Sequence, residues 1–416
     1  MNIPKLRFKD NNDNDYPQWE KKKLGDIGNI ISGGTPSSSN KEYWNGHINW
    51  FTPSEVGKTK FVSESIRKIT EKGLKNSSAK LLPKGTILLS SRATIGEKSI
   101  LLNSATTNQG FQSIITNNEA INEFIYYHID TLKSELIKQS SGSTFLEISN
   151  TILKKLKIYI PNLQEQEKIA NFLSTVDKKI ENLANTITSL ENQKKGLLQQ
   201  IFSQKLRFKD KNGNNYPNWE KKKLGQYINY KKGYAFKSEL YTNKGIRIIR
   251  VSDLSATSIK NDSPIYISRS LYTNYLDWKL YTNDIIITTV GSKPPIYDSM
   301  VGKVILFPDN LPYKCFLNQN AVIIRACTQV NQKFLYYTLS LNKYINHIKN
   351  ILRGNANQAN ITLVDLFEYK IPLPCLEEQT KIADFLSAFD RKLNNQKAQL
   401  EHWKQIKKGL LQQMFV

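Results

Sequence analysis

Residues that commonly carry catalysis or bind metals are sparse and widely spaced in this chain. No His-x-x-x-His or Cys-x-x-Cys spacing occurs, so the sequence predicts no metal site. The phosphate-binding pattern Gly-x-x-x-x-Gly-Lys-Ser/Thr is also missing. We therefore predict that the chain has no catalytic residue of its own. The four histidines are isolated from one another: His47, His128, His347 and His402.

One segment superficially resembles a catalytic motif. Residues 293–297 read Lys-Pro-Pro-Ile-Tyr, which is similar to the Asp/Asn-Pro-Pro-Tyr motif of amino-methyltransferases. The leading acid or amide that would hold an exocyclic amine is missing, and no glycine-rich cofactor loop accompanies the segment. The pattern therefore favours a turn, and it disfavours an enzyme such as a solo methyltransferase.

Polar loops between apolar runs carry side chains suited to reading DNA. Amide side chains can bond adenine with two hydrogen bonds, and Arg or Lys can read guanine. The alternative for each residue is a solvated loop or a turn-capping amide. Asn-Gln pairs that recur in both halves also fit a structural role, because base-reading residues should differ between halves. The candidates are Arg92, Thr94, Asn108, Gln109 and Gln112 in the first half, and Lys237, Arg250, Lys293, Asn318, Gln319, Asn320, Arg353 and Asn357 in the second.

The charge balance points to a polyanionic partner. Lysine and arginine number 59 against 36 acidic residues, which gives a formal net charge of +23. Such a surface attracts nucleic acid through counterion release, although a generally lysine-rich composition would look similar. No run of 18 apolar residues exists and the N-terminus lacks a signal-peptide core, so we expect a cytoplasmic protein without a membrane span. The odd count of 3 cysteines agrees with a reducing compartment.

An internal repeat covers the whole chain. Residues 5–10 recur as 205–210, and residues 19–25 recur as 219–225. Further on, Asn108-Gln109 matches Asn318-Gln319. Each half therefore consists of a short start motif, a globular module and a long helix. The start motifs and helices are nearly copied, whereas the modules differ, which suggests one scaffold that carries two modules with distinct tasks.

The two long helices have apolar residues at alternating steps of four and three, the period of a coiled-coil seam. They are predicted over residues 165–202 and 378–415, at roughly 55 Å each. Each seam could pack on its own module, but its regularity over about five heptads favours pairing of the two helices. The predicted seam residues are Ile169, Leu173, Val176, Ile180, Leu183, Ile187, Leu190 and Leu197 in the first helix, and Ile382, Leu386, Phe389, Leu393, Leu400, Trp403 and Leu410 in the second.

The modules show mixed strand and helix patterns. Apolar runs at residues 87–89, 285–287, 304–307 and 321–324 predict buried strands. Helical spacing occurs over residues 123–136 and 332–348, and residues 154–161 and 368–374 look like strands that lead into the long helices. We predict an α+β fold built from start motifs (1–25 and 205–225), a first module (26–160), a second module (226–373) and long helices (161–204 and 374–416).

In this order and duplicated, several motifs resemble the specificity subunit of type I restriction–modification enzymes. The second module departs from the pattern, because it lacks the Ser-Gly-Gly-Thr-Pro and Ser-Arg-Ala-Thr segments. This departure suggests that the second module reads a different class of sequence. The motifs are Leu24-Gly25, Ile31 to Pro36, Tyr43-Trp44, Ile48-Asn49-Trp50, Ser90 to Gly96, Thr107 to Phe111, Ile160-Pro161, Glu165-Gln166, Lys168-Ile169-Ala170, Phe172-Leu173 and Asp177, followed by Gly233 to Ser238, Ile371 to Pro374 and Glu378 to Ala383.

The resemblance implies two target-recognition domains joined by two long antiparallel coiled-coil helices, with the halves related by a pseudo-two-fold axis and the first start motif completing a cyclic scaffold. Each domain would read half of a bipartite site in double-stranded DNA, and the helix pair would set the gap. Two modification subunits would bring S-adenosylmethionine and methylate adenine, and restriction subunits would use ATP and Mg to cut. This chain would itself bind no cofactor. The alternative is a non-enzymatic adaptor that binds protein or RNA through its two basic modules.

Overall fold

The computed structural model describes residues 4–142, 146–255, 258–293, 300–308, 314–354 and 359–416. The predicted DNA contact Asn357 and residues 294–297 of the Lys-Pro-Pro-Ile-Tyr segment lie outside this range. The chain forms two compact units. Unit 1 comprises Met1–Asn185 with Lys397–Val416, and unit 2 comprises Thr186–Gln396. No helix in the described part of the chain is long and apolar enough to cross a membrane.

The first half of the chain contains ten strands and four α-helices among the described residues. The strands are β1 (Glu20–Lys23), β2 (Gly28–Ser32), β3 (Trp44–Phe51), β4 (Phe61–Val62), β5 (Arg67–Ile69), β6 (Ile87–Leu89), β7 (Lys98–Leu101), β8 (Thr106–Thr107), β9 (Gln112–Thr116) and β10 (Lys157–Ile160). The helices are α1 (Glu71–Lys75), α2 (Asn122–Lys138), α3 (Asn150–Lys155) and α4 (Leu163–Phe202).

The second half contains thirteen strands and four α-helices among the described residues. The strands are β11 (Glu220–Lys223), β12 (Ile228–Lys232), β13 (Tyr241–Thr242), β14 (Ile246–Ile249), β15 (Ile265–Ile267), β16 (Ile285–Thr288), β17 (Val290–Gly291), β18 (Val304–Leu306), β19 (Cys315–Leu317), β20 (Ala321–Ala326), β21 (Arg353–Gly354), β22 (Ala359–Asn360) and β23 (Lys370–Leu373). The helices are α5 (Gln332–Leu339), α6 (Asn342–Ile351), α7 (Leu363–Phe367) and α8 (Leu376–Met414).

The two modules share a core of strand pairings although their sequences differ, and each also has strands that the other lacks. In the first, the main sheet has the order β2-β9-β6-β7-β4, and a second sheet has the order β5-β3-β8. In the second, the corresponding sheets are β12-β20-β16-β18 and β13-β15-β14-β19. The pairing of β3 with β8 is parallel, as is that of β14 with β19. The predicted mixed α/β modules and their internal repeat are thus confirmed.

Two local predictions needed correction. Residues 154 and 155, predicted as extended, are the end of α3, which begins because the Ser149 side chain accepts a hydrogen bond from the backbone N–H of Ile152. The helical pattern over 332–348 is divided into α5 and α6. The division occurs because Leu341 is extended, with φ −80° and ψ 152°, and begins a new helix.

The start motif of each half is joined to its module and long helix by a short antiparallel strand pair. β1 pairs with β10, and β11 pairs with β23. The backbone N–H of Leu6 donates to the carbonyl of Gln413 on α8, 2.9 Å away. The backbone N–H of Leu206 donates in the same way to Gln200 on α4, at 3.1 Å. The first start motif therefore meets the end of α8 as the second meets the end of α4.

The long helices run antiparallel within each unit. In unit 1, Ile169 and Leu173 near the start of α4 share a core with Met414 and Phe415 at the end of α8. In unit 2, the end of α4 packs in the same way against Ile382 and neighbouring residues of α8. Nine predicted seam residues are buried: Ile169, Leu173, Val176, Leu183, Ile187, Leu190, Ile382, Leu386 and Leu393. The others are partly buried: Ile180, Leu197, Phe389, Leu400, Trp403 and Leu410.

Candidate nucleic-acid interface

The recurrent Asn-Gln pairs lie on a turn against a glycine in both modules. A Cβ added to Gly33 would lie 1.9 Å from the carbonyl oxygen of Asn108. A Cβ added to Gly233 would lie 1.9 Å from the carbonyl oxygen of Asn318. Only glycine allows this close approach of two backbones. Packing against a backbone carbonyl therefore explains the shared glycine, and it sets no requirement on the Asn and Gln side chains.

Three predicted contacts of the first module surround one shallow depression of about 220 Å³. Arg92, Asn108 and Gln109 line it together with Pro53, Ala93 and Gly110. Its floor is rigid, because the Asn108 side chain accepts a hydrogen bond of 2.9 Å from the N–H of Gly110. Ala93, in the loop after β6, has a φ of 63°, in the left-handed region that is uncommon for residues other than glycine. The structure thus gathers these polar groups at one exposed place.

Neighbouring contacts limit the freedom of these side chains. The Gln109 side-chain oxygen accepts a hydrogen bond from the hydroxyl of Thr35. The Arg92 Nε lies 4.0 Å from a carboxylate oxygen of Glu147, and both side chains are more than 40% exposed. Thr94 is exposed, and its hydroxyl lies 3.0 Å from that of Ser90. Arg92 and Gln109 can exchange these exposed contacts for DNA at small cost.

The prediction that Gln112 contacts DNA needs a correction. Its side chain is buried, and its amide oxygen accepts hydrogen bonds of 2.9 Å from both Ser32 and Asn150. Ser32 lies on the paired strand β2 and Asn150 begins α3, so the amide ties three elements together. A buried amide in this position cannot reach a base edge. Gln112 is therefore a structural residue.

Arg250 needs the same correction in the second module. Its guanidinium group donates to both carboxylate oxygens of Asp253, at 3.2 Å and 2.8 Å, and to the carbonyl of Ser263 at 2.6 Å. The arginine is 27% exposed and Asp253 is 7% exposed. The pKa of Arg250 is raised by the hydrogen bond with Asp253. Its donors are used within the fold, which leaves little capacity for reading a base.

The other candidates of the second module occupy separate loops. Lys237 and Lys293 follow β12 and β17, respectively. The Asn318 amide oxygen is buried without a hydrogen-bond partner among the described residues, whereas Gln319 and Asn320 are exposed on the turn before β20. Arg353 is 61% exposed and lies 2.7 Å from Asp365. The structure does not gather this set as closely as the first.

Sequence reasoning missed an aromatic platform in the first module. The guanidinium carbon of Arg67 lies 3.7 Å from the ring centre of Trp44 and 5.2 Å from that of Trp50. The sequence contains one weak indication of this platform, the alternation of large side chains along β3. It gives no indication of Arg67, which lies on the later strand β5. The second module instead has an aromatic cluster in which Tyr234 contacts both Tyr275 and Trp278.

Each long helix is joined to its start motif by a buried carboxylate. The side chain of Glu165 is fully buried and accepts hydrogen bonds from Arg7 at 2.9 Å and 2.6 Å. The indole N–H of Trp19 donates to the same group at 3.2 Å. Arg207, Trp219 and Glu378 repeat this arrangement in unit 2. The near identity of the start motifs thus reflects one joint that is built twice.

The adjacent glutamine of each helix holds the module itself. Gln166 accepts from the N–H of Ile121 at 2.8 Å and donates to the carbonyl of Glu119 at 3.0 Å. Gln379 accepts from the N–H of Asn331 and donates to the carbonyl of Gln329. In both units the Glu-Gln pair therefore attaches start motif and module to one helix end.

A family comparison agrees with this duplicated architecture. The family model of the type I restriction modification DNA specificity domain matches residues 16–192 and again residues 216–402. The chain belongs to this family, which confirms the family predicted from the motifs.

Relatives match over all or part of the chain. The MjaIX specificity subunit of a type I restriction enzyme from Methanocaldococcus jannaschii is 32% identical, and the alignment covers 94% of this chain and 91% of the relative. The EcoR124I/EcoR124II specificity subunit from Escherichia coli is 34% identical over 41% of this chain and 42% of its own. The crystal structure of a type I restriction-modification S subunit from M. genitalium has the same fold, with a TM-score of 0.62 at 19% identity, and covers 100% of this chain and 99% of its own.

Proposed function

We propose that this chain is the DNA specificity subunit of a type I restriction–modification complex. The observation that carries the proposal is the double family match, because two copies of a DNA specificity domain cover residues 16–192 and 216–402. The two modules share a core of strand pairings but differ in the side chains on their polar loops. We infer that each module reads one half of a bipartite site in double-stranded DNA.

The first module is proposed to contact DNA around its shallow depression. Arg92 offers planar donors that match guanine, and Gln109 offers an amide that matches adenine. The net charge of +23 would supply affinity for the phosphate backbone irrespective of sequence. This division of tasks is usual in DNA recognition, where phosphate contacts position the protein and base contacts specify the sequence.

The chemistry is proposed to belong to partner subunits. Within the described residues, no group of three or more His, Cys, Asp or Glu side chains could hold a metal ion. Modification subunits would bring S-adenosylmethionine for adenine methylation, and restriction subunits would bring the ATP- and Mg-dependent cutting activity. This chain would then act without catalysing a step, and the helix pair would set the gap between the half-sites.

One surface on each long helix is suited to docking the same partner twice. Gly196 on α4 and Gly409 on α8 have no atom within 4 Å of an added Cβ. A glycine inside a helix costs about 1 kcal/mol relative to alanine, and neither position has an internal packing reason for it. Lys195, Gln199 and Gln200 beside Gly196 are exposed, as are their identical counterparts Lys408, Gln412 and Gln413. We infer that two copies of the modification subunit approach the backbone at these glycines.

A base-modification map tests the proposal. DNA is sequenced for methylated adenine from cells that contain this chain with its modification partner, and from cells that lack only this chain. The expected result is a methylated motif with two short defined halves and a fixed gap, which disappears with the chain. Identical maps would contradict the proposal and favour the adaptor, which would then be sought by binding to RNA and protein.

A further inference from the structure

The indole rings of Trp44 and Trp50 form a fixed platform in the first module. They pack edge to face, with ring centres 5.0 Å apart and planes at 86°. The Trp44 indole N–H donates to the carbonyl of Ser37 at 3.1 Å, and that of Trp50 donates to the carbonyl of Gly34 at 2.8 Å. The two residues are 9% and 3% exposed. They are therefore held in place before any ligand binds.

Arg67 lies over this platform with its hydrogen-bonding capacity free. It is exposed, and it pairs across the sheet with Trp50. Among the described residues no carboxylate forms an ion pair with Arg67, whereas Arg92 of the same module lies near Glu147. A guanidinium group held over an aromatic face by a cation–π contact keeps its N–H donors available. The aromatic faces also reduce the entropy lost when those donors bind.

A rigid, planar pair of donors fits one acceptor arrangement in duplex DNA. Guanine presents O6 and N7 side by side in the major groove, and a bidentate arginine is the commonest specific contact to it. A phosphate contact needs charge but does not need a fixed plane. We propose that Arg67, held by Trp44 and Trp50, reads a guanine in the half-site of the first module. This inference rests on the proposed function.

The platform is continuous with the depression already described. Trp50 bonds Gly34, and the next residue, Thr35, bonds Gln109 at the rim of the depression. Strand β3 ends at Phe51, and Pro53, two residues further on, lines the same depression. Arg67 and Gln109 are thus connected through one chain of contacts. A duplex seated on the depression would pass beside the platform.

The second module has no equivalent reader at this position. Trp50 pairs with Thr106 on β8, just before the Asn108-Gln109 turn. In the second module Ile248 pairs with Phe316 on β19, just before the Asn318-Gln319 turn, and its partner on β15 is Ile265. Ile248 and Ile265 therefore replace Trp50 and Arg67. Readers should differ between two modules that recognise different sequences, and this pair differs completely.

The test is a site map for Arg67→Ala and Arg67→Lys, each in the full chain together with its modification subunits. The methylated motif is determined by sequencing DNA for methylated adenine. Binding of each complex is then measured on duplexes in which each base pair of the motif is changed in turn. Arg67→Ala should lose discrimination of about 5- to 150-fold at one G·C position of one half-site. Arg67→Lys should lose part of that discrimination at the same position, because lysine can still donate to guanine but lacks the planar pair of donors. The other half-site should stay unchanged, which provides an internal control. Arg67→Lys keeps the positive charge and a long side chain. It therefore provides the test if Arg67→Ala folds poorly.

Lys68→Ala is the matched control, because it removes one positive charge from the same strand at a residue outside the aromatic stack. It should leave every base preference unchanged. Equal weakening at all positions in Arg67→Ala would show a phosphate contact and overturn the inference, as would an unchanged motif. A wild-type complex without any defined half-site would instead overturn the proposed function. The two failures are therefore distinguishable.

Discussion

Asp177 on α4 lies 2.6 Å from the Nζ atom of Lys407 on α8. The second carboxylate oxygen of Asp177 accepts a hydrogen bond of 2.7 Å from the hydroxyl of Tyr127 on α2. Unit 2 repeats the arrangement, with Tyr337 on α5 bonded at 2.7 Å to Asp390 on α8, which pairs with Lys194 on α4. In each unit one aspartate therefore fastens the module to both long helices.

Replacing this aspartate should loosen the attachment of a module. Asp177→Ala removes the acceptor of the partly buried Tyr127 hydroxyl and the partner of Lys407, so the free energy of unfolding should fall by about 1–3 kcal/mol. Chemical denaturation measures the change, and Asp390→Ala is the matched variant in unit 2. A double-mutant cycle of Asp177→Ala with Lys407→Met isolates the ion pair; a coupling energy of zero would contradict its role.

The buried carboxylate at the start-motif joint should be more costly to change. Glu165→Gln removes the charge that pairs with Arg7, and a cation left without its buried partner typically costs 3–5 kcal/mol. We expect a lower midpoint of denaturation for Glu165→Gln and likewise for Glu378→Gln in unit 2. Thermal unfolding of the two variants gives the comparison. Wild-type stability in both would show that the joint does not hold the start motifs.

His128 should make unit 1 sensitive to acid. Its ring is 1% exposed and lies 4.9 Å from that of Phe415, and burial lowers its pKa to about 4. The folded-state pKa is below the ordinary value near 6.5, so between these values the unfolded state binds the proton more readily. Stability contributed by neutral His128 is therefore present above pH 6.5 and is lost as the pH falls toward 4, by up to about 3 kcal/mol.

His128→Thr tests this dependence with the residue that the second module has at the matching position, Thr338. The free energy of unfolding is measured from pH 7 to pH 4 for both proteins. The slope of stability with pH should be shallower in the variant, even if the smaller side chain lowers stability at pH 7. Equal slopes would mean that His128 does not titrate with the predicted shift.

Substitutions at the two helix glycines should affect helix stability and partner docking differently. Gly196→Ala should raise helix stability by about 1 kcal/mol, because the added methyl group meets no other atom. Gly196→Phe should leave folding intact but block one modification subunit, and Gly196→Phe with Gly409→Phe should block two. The mass of the assembled complex, measured by sedimentation, counts the bound subunits. A full complex with the double variant would refute docking at these glycines.

The sequence alone determined the repeat, the two long helices and four strands, β6, β16, β18 and β20, because these depend on local spacing of apolar side chains. The buried strands β7, β14 and β19 were not predicted. It determined the family through motifs in a fixed order. The period of four and three placed the seam residues without reference to a partner, since a helix presents one face at that period.

The tertiary structure decided which polar residues are free to bind. Gln112 and Arg250 look like readers in the sequence, but one is bonded to Ser32 and Asn150 and the other to Asp253. Arg67 was overlooked because its partners Trp44 and Trp50 are brought to it by sheet register. A polar side chain is available for DNA unless it is buried or fully bonded within the fold, and the neighbours that decide this come from distant parts of the chain.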